Sequence, residues 1–174
     1  NGEKAGYSHE IMERDGDLIR SRVNQFTRIG RQGAGVEIKT NHWTEETVAG
    51  EPRAFGSEQI LGTIPITTKG TIADGKLKLT SVQFGQESVR EIDWAQDALM
   101  TWAGMLALKD MEMAEGVEAE LSLFMPDIAL DRAVLLKILV EARDTIVRAG
   151  EEIPTWRVLY RIGSGMGGEI AMEA

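Results

Sequence analysis

The amino-acid sequence predicts an α+β protein in which a curved, mostly antiparallel sheet (a half-barrel) wraps around one central helix. Three observations lead to this prediction. Apolar and polar residues alternate through much of the chain, which is the period of a half-buried strand. Asp-Gly pairs at Asp15-Gly16 and Asp74-Gly75 are typical of tight hairpin turns. One segment, near Asp93–Lys109, is instead apolar nearly all round, as a buried helix is.

The length and composition indicate a single domain over residues 1–174. A chain of 174 residues buries about 70% of its unfolded surface, which is enough for a core without metal or disulfide staples. The formal charge of −9 argues against nucleic acid or an anionic membrane surface as partner. No apolar run approaches the roughly 20 residues that span a bilayer. The absence of cysteine excludes disulfides, a thiolate nucleophile and zinc–thiolate sites.

The two ends suggest a piece of a longer protein. The first residues lack an initiator Met and lead almost directly into a strand pattern, as in a mature or trimmed chain from which a targeting signal has been removed. The last strand pattern, Glu169–Ala174, stops abruptly. We therefore expect the parent protein to continue past Ala174.

The first half predicts an antiparallel meander of about six strands joined by short turns. Strands are expected over Ala5–Glu13, Leu18–Ile29, Val36–Val48, Arg53–Leu61, Thr63–Ile72 and Lys76–Phe84, with a short approach to the helix over Val89–Ile92. Arginines on the second strand and acidic residues on the third predict cross-strand pairs on a solvated face, each worth under about 1 kcal/mol. Pro65 has no N–H, so it should lie at an edge, a strand start or a bulge.

The predicted helix begins at Asp93, whose carboxylate can accept a hydrogen bond from a free N–H of the first turn. Gln96, three residues on, can reach back as in a capping box. At about 1.5 Å per residue the segment to Lys109 would be roughly 25 Å long, enough to cross a small domain. We therefore expect it to be buried on most faces.

The second half predicts a return to strands after a polar connector over Asp110–Gly116. Alternation marks a strand at Ala119–Phe124, which Pro126 and Asp127 end. The long Leu-rich segment Ala133–Ile146 resembles a helix in composition, but its alternation favours a strand. A further strand follows over Trp156–Ile162, and the Gly-rich run Gly163–Gly168 predicts a turn before Glu169–Ala174.

Few residues offer reaction chemistry. Only His9 and His42 could act as a base in a Ser-His-Asp arrangement. Both lie inside strand patterns, and no Gly-x-Ser-x-Gly elbow is present, so packed or surface histidines are the better interpretation. Together with Glu10 and Glu45 they could in principle hold a metal, but no ligand spacing recurs. We predict no catalytic, cofactor-binding or metal-binding residues and no cofactor.

Two other patterns receive structural interpretations. The carboxylate pairs Glu45-Glu46 and Glu151-Glu152 could serve glycoside chemistry, but in a chain with 28 acidic residues solvated charges are the better interpretation. The run Gly163–Gly168 lacks the GK[ST] ending of a phosphate loop and leads into a strand pattern, so a hairpin turn is predicted there.

The helix and its exit are rich in adaptable apolar side chains. The residues concerned are Trp94, Met100, Trp102, Met105, Met111 and Met113. Core packing against the sheet is the favoured interpretation. The alternative is that some of them line a groove for an apolar ligand, since Met adapts to irregular surfaces.

Four runs carry a resemblance to a known family. They are ERDGDLIRSRVNQFTRIGRQGAGVEIKTNHWTEET (Glu13–Thr47), GTIADGKLKL (Gly70–Leu79), DWAQDAL (Asp93–Leu99) and LFMPDI (Leu123–Ile128). They resemble the region ahead of the catalytic domain in bacterial secreted transglutaminase-like proteins. The order of elements is also similar to the half-barrels of periplasmic lipoprotein carriers. The catalytic Cys-His-Asp set of the transglutaminase-like family lies in the following domain, so no catalytic residue can be transferred to this chain.

The resemblance implies a periplasmic or secreted location and a non-catalytic accessory domain. The expected partner is another protein or an adjacent catalytic domain, with no enzyme activity in this chain. The alternative is a carrier or sensor that binds an acyl chain or lipoprotein between helix and sheet. A hydrolase that uses two carboxylates is a third hypothesis and requires two acidic groups of divergent pKa in one cleft.

Overall fold

The computed structural model describes residues 6–31, 34–61, 64–126, 128–130, 132–163 and 166–173. Within these ranges the chain forms eleven strands and one helix, α1 (Thr101–Asp110). The strands are β1 (Gly6–Asp15), β2 (Leu18–Arg31), β3 (Ala34–Thr47), β4 (Pro52–Leu61), β5 (Ile64–Ala73), β6 (Lys76–Gln83), β7 (Gln86–Asp93), β8 (Glu118–Leu123), β9 (Val134–Arg148), β10 (Glu151–Ile162) and β11 (Met166–Glu173).

Backbone contacts divide the chain into two compact units. Unit 1 comprises Asn1–Gln96 and Met100–Ala103, and unit 2 comprises Asp97–Leu99 and Gly104–Ala174. Unit 1 contains a seven-stranded sheet in the order β1-β2-β3-β4-β5-β6-β7, and unit 2 a four-stranded sheet in the order β11-β10-β9-β8. The single domain expected over residues 1–174 stays a prediction.

The seven-stranded sheet is an antiparallel meander whose turns follow from local sequence. Gly16 has a φ of 59°, and Asp74 and Gly75 have φ values of 51° and 71°. These left-handed conformations are what a tight primed turn requires, and Asp and Gly tolerate them. Both predicted Asp-Gly hairpins are therefore confirmed. A third hairpin, at Phe84 and Gly85, makes Gln86–Asp93 a full edge strand instead of the short approach that was predicted.

One face of this sheet, the core face, carries the buried side chains of unit 1. They include Ile19, Phe55, Ile72, Leu77 and Leu79, together with the polar Ser21, Thr40, Thr44, Glu46 and Thr68. The alternate residues form the opposite, exposed face. There the predicted cross-strand charge pairing is confirmed, since Arg20 of β2 forms a direct ion pair with Glu45 of β3. Pro65 lies at the start of β5, as one of its three predicted positions allowed.

Two glycines of the sheet make room for aromatic rings. Gly70 lies directly opposite Phe55, and a Cβ on Gly70 would lie 2.1 Å from a carbon of the Phe55 ring, which is fully buried. Gly56 lies opposite Trp43, and a Cβ there would lie 2.4 Å from the indole nitrogen. Glycine is therefore required at both positions because the rings occupy the space that a side chain would fill.

The four-stranded sheet of unit 2 packs one face into a second core. Buried Leu136, Ile138, Val140, Trp156 and Val158 form its centre, and Leu108, Met111 and Met113 are among the residues that pack against it. The long strand predicted over Ala133–Ile146 is confirmed as β9. Strand β8 pairs with β9 only as far as Leu139. Beyond that residue, β9 and β10 continue as a two-stranded hairpin to the turn at Ala149 and Gly150.

The helix starts later than the sequence suggested. Asp93 is the last residue of β7, where it pairs with Lys76 of β6, and α1 begins only at Thr101. Leu99 explains the delay, since its N–H donates to the carbonyl of Ser122 and its carbonyl accepts from the N–H of Phe124. A backbone N–H and C=O that are hydrogen-bonded to a neighbouring strand cannot also form the hydrogen bonds of a helix. The predicted Asp93–Gln96 cap is therefore wrong.

The fold class is confirmed. Strands make up about 70% of the chain, the pairing is antiparallel between neighbouring strands, the described sheets are not closed, and one short helix is present. The sheet is divided in two, a feature that the alternation of residues could not reveal. Residues 164–165 within the predicted Gly-rich turn, and Asp127 at the predicted end of β8, lie outside the described residues.

We expect Gly70→Ala to lower the free energy of unfolding by about 2 kcal/mol, because the new methyl group must displace the buried Phe55 ring. Thr71→Ala, on the next and exposed residue of β5, is the matched control and should cost no more than about 1 kcal/mol, the span of strand propensity. Urea denaturation of the two variants measures both values. Equal stability of the two would contradict the close approach of Phe55.

Candidate functional site

A Trp- and Arg-containing patch lies on the exposed face of the seven-stranded sheet. The Trp43 surface, as we call it, consists of Arg20 and Arg22 on β2 and Trp43 and Glu45 on β3. The strand register places Arg22 directly opposite Trp43 and Arg20 directly opposite Glu45. Arg20, Arg22 and Trp43 line a hollow of about 350 Å³. Trp43 is half-buried because its indole lies across Gly56.

The charges of this patch are partly paired and partly available to a ligand. Arg20 contacts Glu45, and the guanidinium of Arg22 lies 3.4 Å from the carboxylate of Glu13. The side chains of both arginines remain about half exposed, at 48% and 49%. A second hollow, of about 280 Å³, adjoins Arg20 and is lined by Glu13, Arg14, Asp15 and Leu18 as well as Glu45. Exposed ion pairs of this kind contribute little to stability, so these arginines can exchange partners at small cost.

A fully buried carboxylate lies on the opposite, core face of the same sheet. Glu46 accepts hydrogen bonds from the backbone N–H groups of Trp102 at 2.7 Å and Ala103 at 2.8 Å. These are among the first N–H groups of α1, which have no partner within the helix. The hydroxyl of Thr44 donates a third bond at 3.2 Å, and the indole N–H of Trp102 donates to the carbonyl of Val48 at 3.0 Å.

Burial and hydrogen bonding act on Glu46 in opposite directions. Removal of the carboxylate from water raises its pKa, whereas the bonds from Ala103, Trp102 and Thr44 lower it. Desolvation is the largest of these effects, so the pKa of Glu46 lies above its usual value. The group caps a helix from a distant strand and thereby fixes the first turn of α1 against the core face.

A third feature is a hollow on the four-stranded sheet. It has a volume of about 470 Å³, and the side chains that define it include Leu139, Leu159, Lys137, Arg161, Glu118 and Glu120. Leu139 lies directly opposite both Glu118 and Leu159, on the face turned away from the core of unit 2. Lys137 lies 2.8 Å from Glu120, and this pairing raises the pKa of Lys137. The hollow therefore has an apolar floor between charged side chains.

The histidines are not brought together. His9 is exposed and lies on the exposed face of the sheet, opposite Asn24. His42 is half-buried on the core face, opposite Val23 and Ser57. Within the described residues no three His, Cys, Asp or Glu side chains approach closely enough to hold a metal ion.

The predicted carboxylate pairs have different outcomes. Glu151 and Glu152 are exposed, as predicted for solvated charges. That interpretation is wrong for Glu46, which is fully buried, and Glu45 is half-buried in its pair with Arg20. The alternation along β3 was the available signal, because it places Glu46 on the same face as Ile38 and Thr40 and opposite to Trp43.

The Trp- and Met-rich residues near the helix serve mainly as core. Trp94 and Met100 are buried, Trp102 is half-buried, and Met111 and Met113 pack against the core of unit 2. Met105 is exposed at 47%. Core packing is thus confirmed for most of the set, and an apolar ligand between helix and sheet stays a prediction. The Trp43 surface was missed because its residues come together only through the register of β2 and β3.

Comparisons of the chain with protein-family models, with curated proteins and with solved structures found no match. The transglutaminase-like resemblance therefore stays a prediction. None of the helical segments among the described residues has the length and apolar character needed to cross a membrane.

The raised pKa of Glu46 gives a pH dependence of stability. A carboxyl group that binds its proton more tightly in the folded state contributes most to stability below its unfolded pKa, near 4.5. This contribution is lost as the pH rises through the folded-state pKa. We expect the free energy of unfolding of the wild type, relative to that of Glu46→Gln, to fall over this interval in guanidinium titrations at several pH values.

A second substitution of Glu46 tests the helix cap. Glu46→Ala leaves two buried N–H groups without an acceptor and should cost about 3 kcal/mol. Glu45→Gln, at the neighbouring exposed-face position, is the control and should cost less than about 1 kcal/mol, because it removes only a partly exposed ion pair. If the free energy of unfolding of Glu46→Gln varied with pH in parallel with that of the wild type, the raised pKa assigned to Glu46 would be contradicted.

Proposed function

We propose that this chain is a non-catalytic interaction domain of an exported transglutaminase-like protein and that it binds its partner through the Trp43 surface. The resemblance of Glu13–Thr47 to that family supports the location and the accessory role. The single observation that carries the proposed mode of action is the Trp43 surface itself. A half-buried indole flanked by two half-exposed arginines has the composition of an interface hot spot.

The position of these residues suits binding to a folded protein. Arg20, Arg22 and Trp43 project from adjacent long strands, so a rigid sheet holds them. The indole supplies apolar area at a low cost in conformational entropy, because its contact with Gly56 already restricts it. The arginines supply forked donors for carboxylates on the partner once Glu13 and Glu45 are displaced.

The full reading frame provides the test. We expect it to encode a domain with a Cys-His-Asp set, and that domain, produced separately, should bind this chain in calorimetric titrations. Trp43→Ala and Arg22→Ala should each weaken binding about tenfold or more. Lys78→Ala, an exposed residue of β6 away from the Trp43 surface, is the control and should bind as the wild type does.

Three results would overturn the proposal. The first is a reading frame without such a domain, and the second is unchanged binding by a folded Trp43→Ala variant. The third is robust amide hydrolysis or crosslinking by this chain alone. Thermal denaturation of each variant separates lost binding from lost folding.

A second candidate function is a carrier or sensor of an amphiphilic ligand. The hollow on the four-stranded sheet favours it, since about 470 Å³ is within the usual range for ligand sites and Leu139 and Leu159 form an apolar floor. Native mass spectrometry of purified protein should then show a co-purifying lipid that Leu159→Glu removes. A ligand-free spectrum for the wild type would exclude this alternative and leave the first proposal standing.

A further inference from the structure

Strand β1 is an edge of the seven-stranded sheet with one side of its backbone available for pairing. Within the described residues, β2 occupies its other side through an unbroken register from Gly6↔Thr27 to Asp15↔Leu18. No bulge or proline interrupts the strand, although these are common devices for protecting an edge. Its protection against pairing therefore depends on its side chains alone.

Symmetry limits how two copies of this edge can meet. A two-fold axis perpendicular to the sheet sets the two β1 strands side by side and antiparallel, and it keeps each face continuous. Side chains alternate between the faces, so a residue must lie opposite a residue of the same face in the second copy. The available registers are therefore those centred on a single residue that lies opposite itself.

The register centred on Ile11 has the longest overlap among those that oppose no like charges. It overlaps the strands from Tyr7 to Asp15 and places His9 opposite Glu13 and Ser8 opposite Arg14. Glu10 then lies opposite Met12, and no two like charges are opposed. Directly opposed residues interact across strands, and like charges there are destabilising. This register has none of that penalty.

The neighbouring registers of β1 are less favourable. Centring the pair on Glu10 opposes two carboxylates at the axis. Centring it on Met12 places Glu10 opposite Arg14 but shortens the overlap to seven residues, His9–Asp15, against nine for the register centred on Ile11. Centring it on His9 confines the overlap to Gly6–Met12 and opposes two imidazoles.

The other edge of the same sheet, β7, has the charges that prevent such pairing. Centring β7 on Val89 places Glu87 opposite Glu91 on both sides of the axis. Centring it on Arg90 opposes two guanidinium groups and places Glu87 opposite Asp93. Both long registers of β7 therefore oppose like charges, whereas β1 has a long register that does not.

We propose that β1 is a self-association edge, through which two copies of this chain form a continuous antiparallel sheet centred on Ile11. The occupant of the edge is a second copy because β1 can pair with itself over nine residues without opposing like charges, whereas both long registers of β7 oppose them. The contact is isologous and closes at two copies. It uses the strand edge and not the Trp43 surface, so its failure would leave the proposed function standing.

The absence of cysteine allows a direct test of the register. Ile11→Cys places two thiols directly opposite each other, within reach of a disulfide, whereas Glu10→Cys and Met12→Cys place them two residues apart along the strand. Mild oxidation should crosslink Ile11→Cys at least about tenfold faster than either neighbour, given this difference in reach. Val89→Cys on β7 is the control for random collision. Equal rates at all four positions, or fastest crosslinking at Glu10→Cys, Met12→Cys or Val89→Cys, would overturn the proposal.

Substitutions of opposite charge at His9 test the charge pattern of the proposed pairing. His9 lies opposite uncharged Asn24 within its own chain and opposite Glu13 in the second copy. His9→Lys should strengthen dimerisation and His9→Glu should weaken it, each by about fivefold, since two such pairs form per dimer. Sedimentation velocity over a concentration series measures both. A wild type that stays monomeric throughout, or shifts of the same sign in both variants, would refute the self-association.

Discussion

The carboxylate of Glu46 supplies the acceptors that the first turn of α1 lacks. It accepts the N–H groups of Trp102 and Ala103 from a strand more than fifty residues earlier in the chain. The cost of burying this charge is offset only in part by its three hydrogen bonds, and the raised pKa reflects that balance. The start of the helix is thus set by a tertiary contact, and residues just before it remain available to pair with β8.

Close approach between a glycine and an aromatic residue occurs on both faces of the seven-stranded sheet. Phe55 covers Gly70 within the core, and Trp43 covers Gly56 on the exposed side. The first contact fills space among Leu77, Leu79 and their neighbours. The second holds an indole against the sheet beside two arginines, where a folded partner could contact it. The same local device therefore serves packing on one face and, in the function proposed above, recognition on the other.

The arrangement of charges differs between the Trp43 surface and the two edges of the seven-stranded sheet. The Trp43 surface combines an apolar ring with arginines whose exposed ion pairs are easily exchanged. At the sheet edges, the order of charges along a strand decides whether a second copy is tolerated, and β1 and β7 differ in this respect. An accessory domain that holds a partner on a face and a second copy at an edge would need no reacting centre of its own.

The sequence by itself determined the α+β class, the two Asp-Gly hairpins, the presence of charge pairing between β2 and β3, and the long strand β9. Each depends on alternation or turn chemistry within a few residues, or on the register that a short turn imposes. Only the tertiary structure decided where α1 begins, how the strands divide between two sheets, and that Glu46 is buried while Glu45 is not fully so. Asp93 looked like a cap because its local pattern fits one, but its pairing with Lys76 and the use of the Leu99 backbone by β8 prevailed. Such long-range contacts compete with local preference for the same backbone groups, and the order of residues does not record which contact is the stronger.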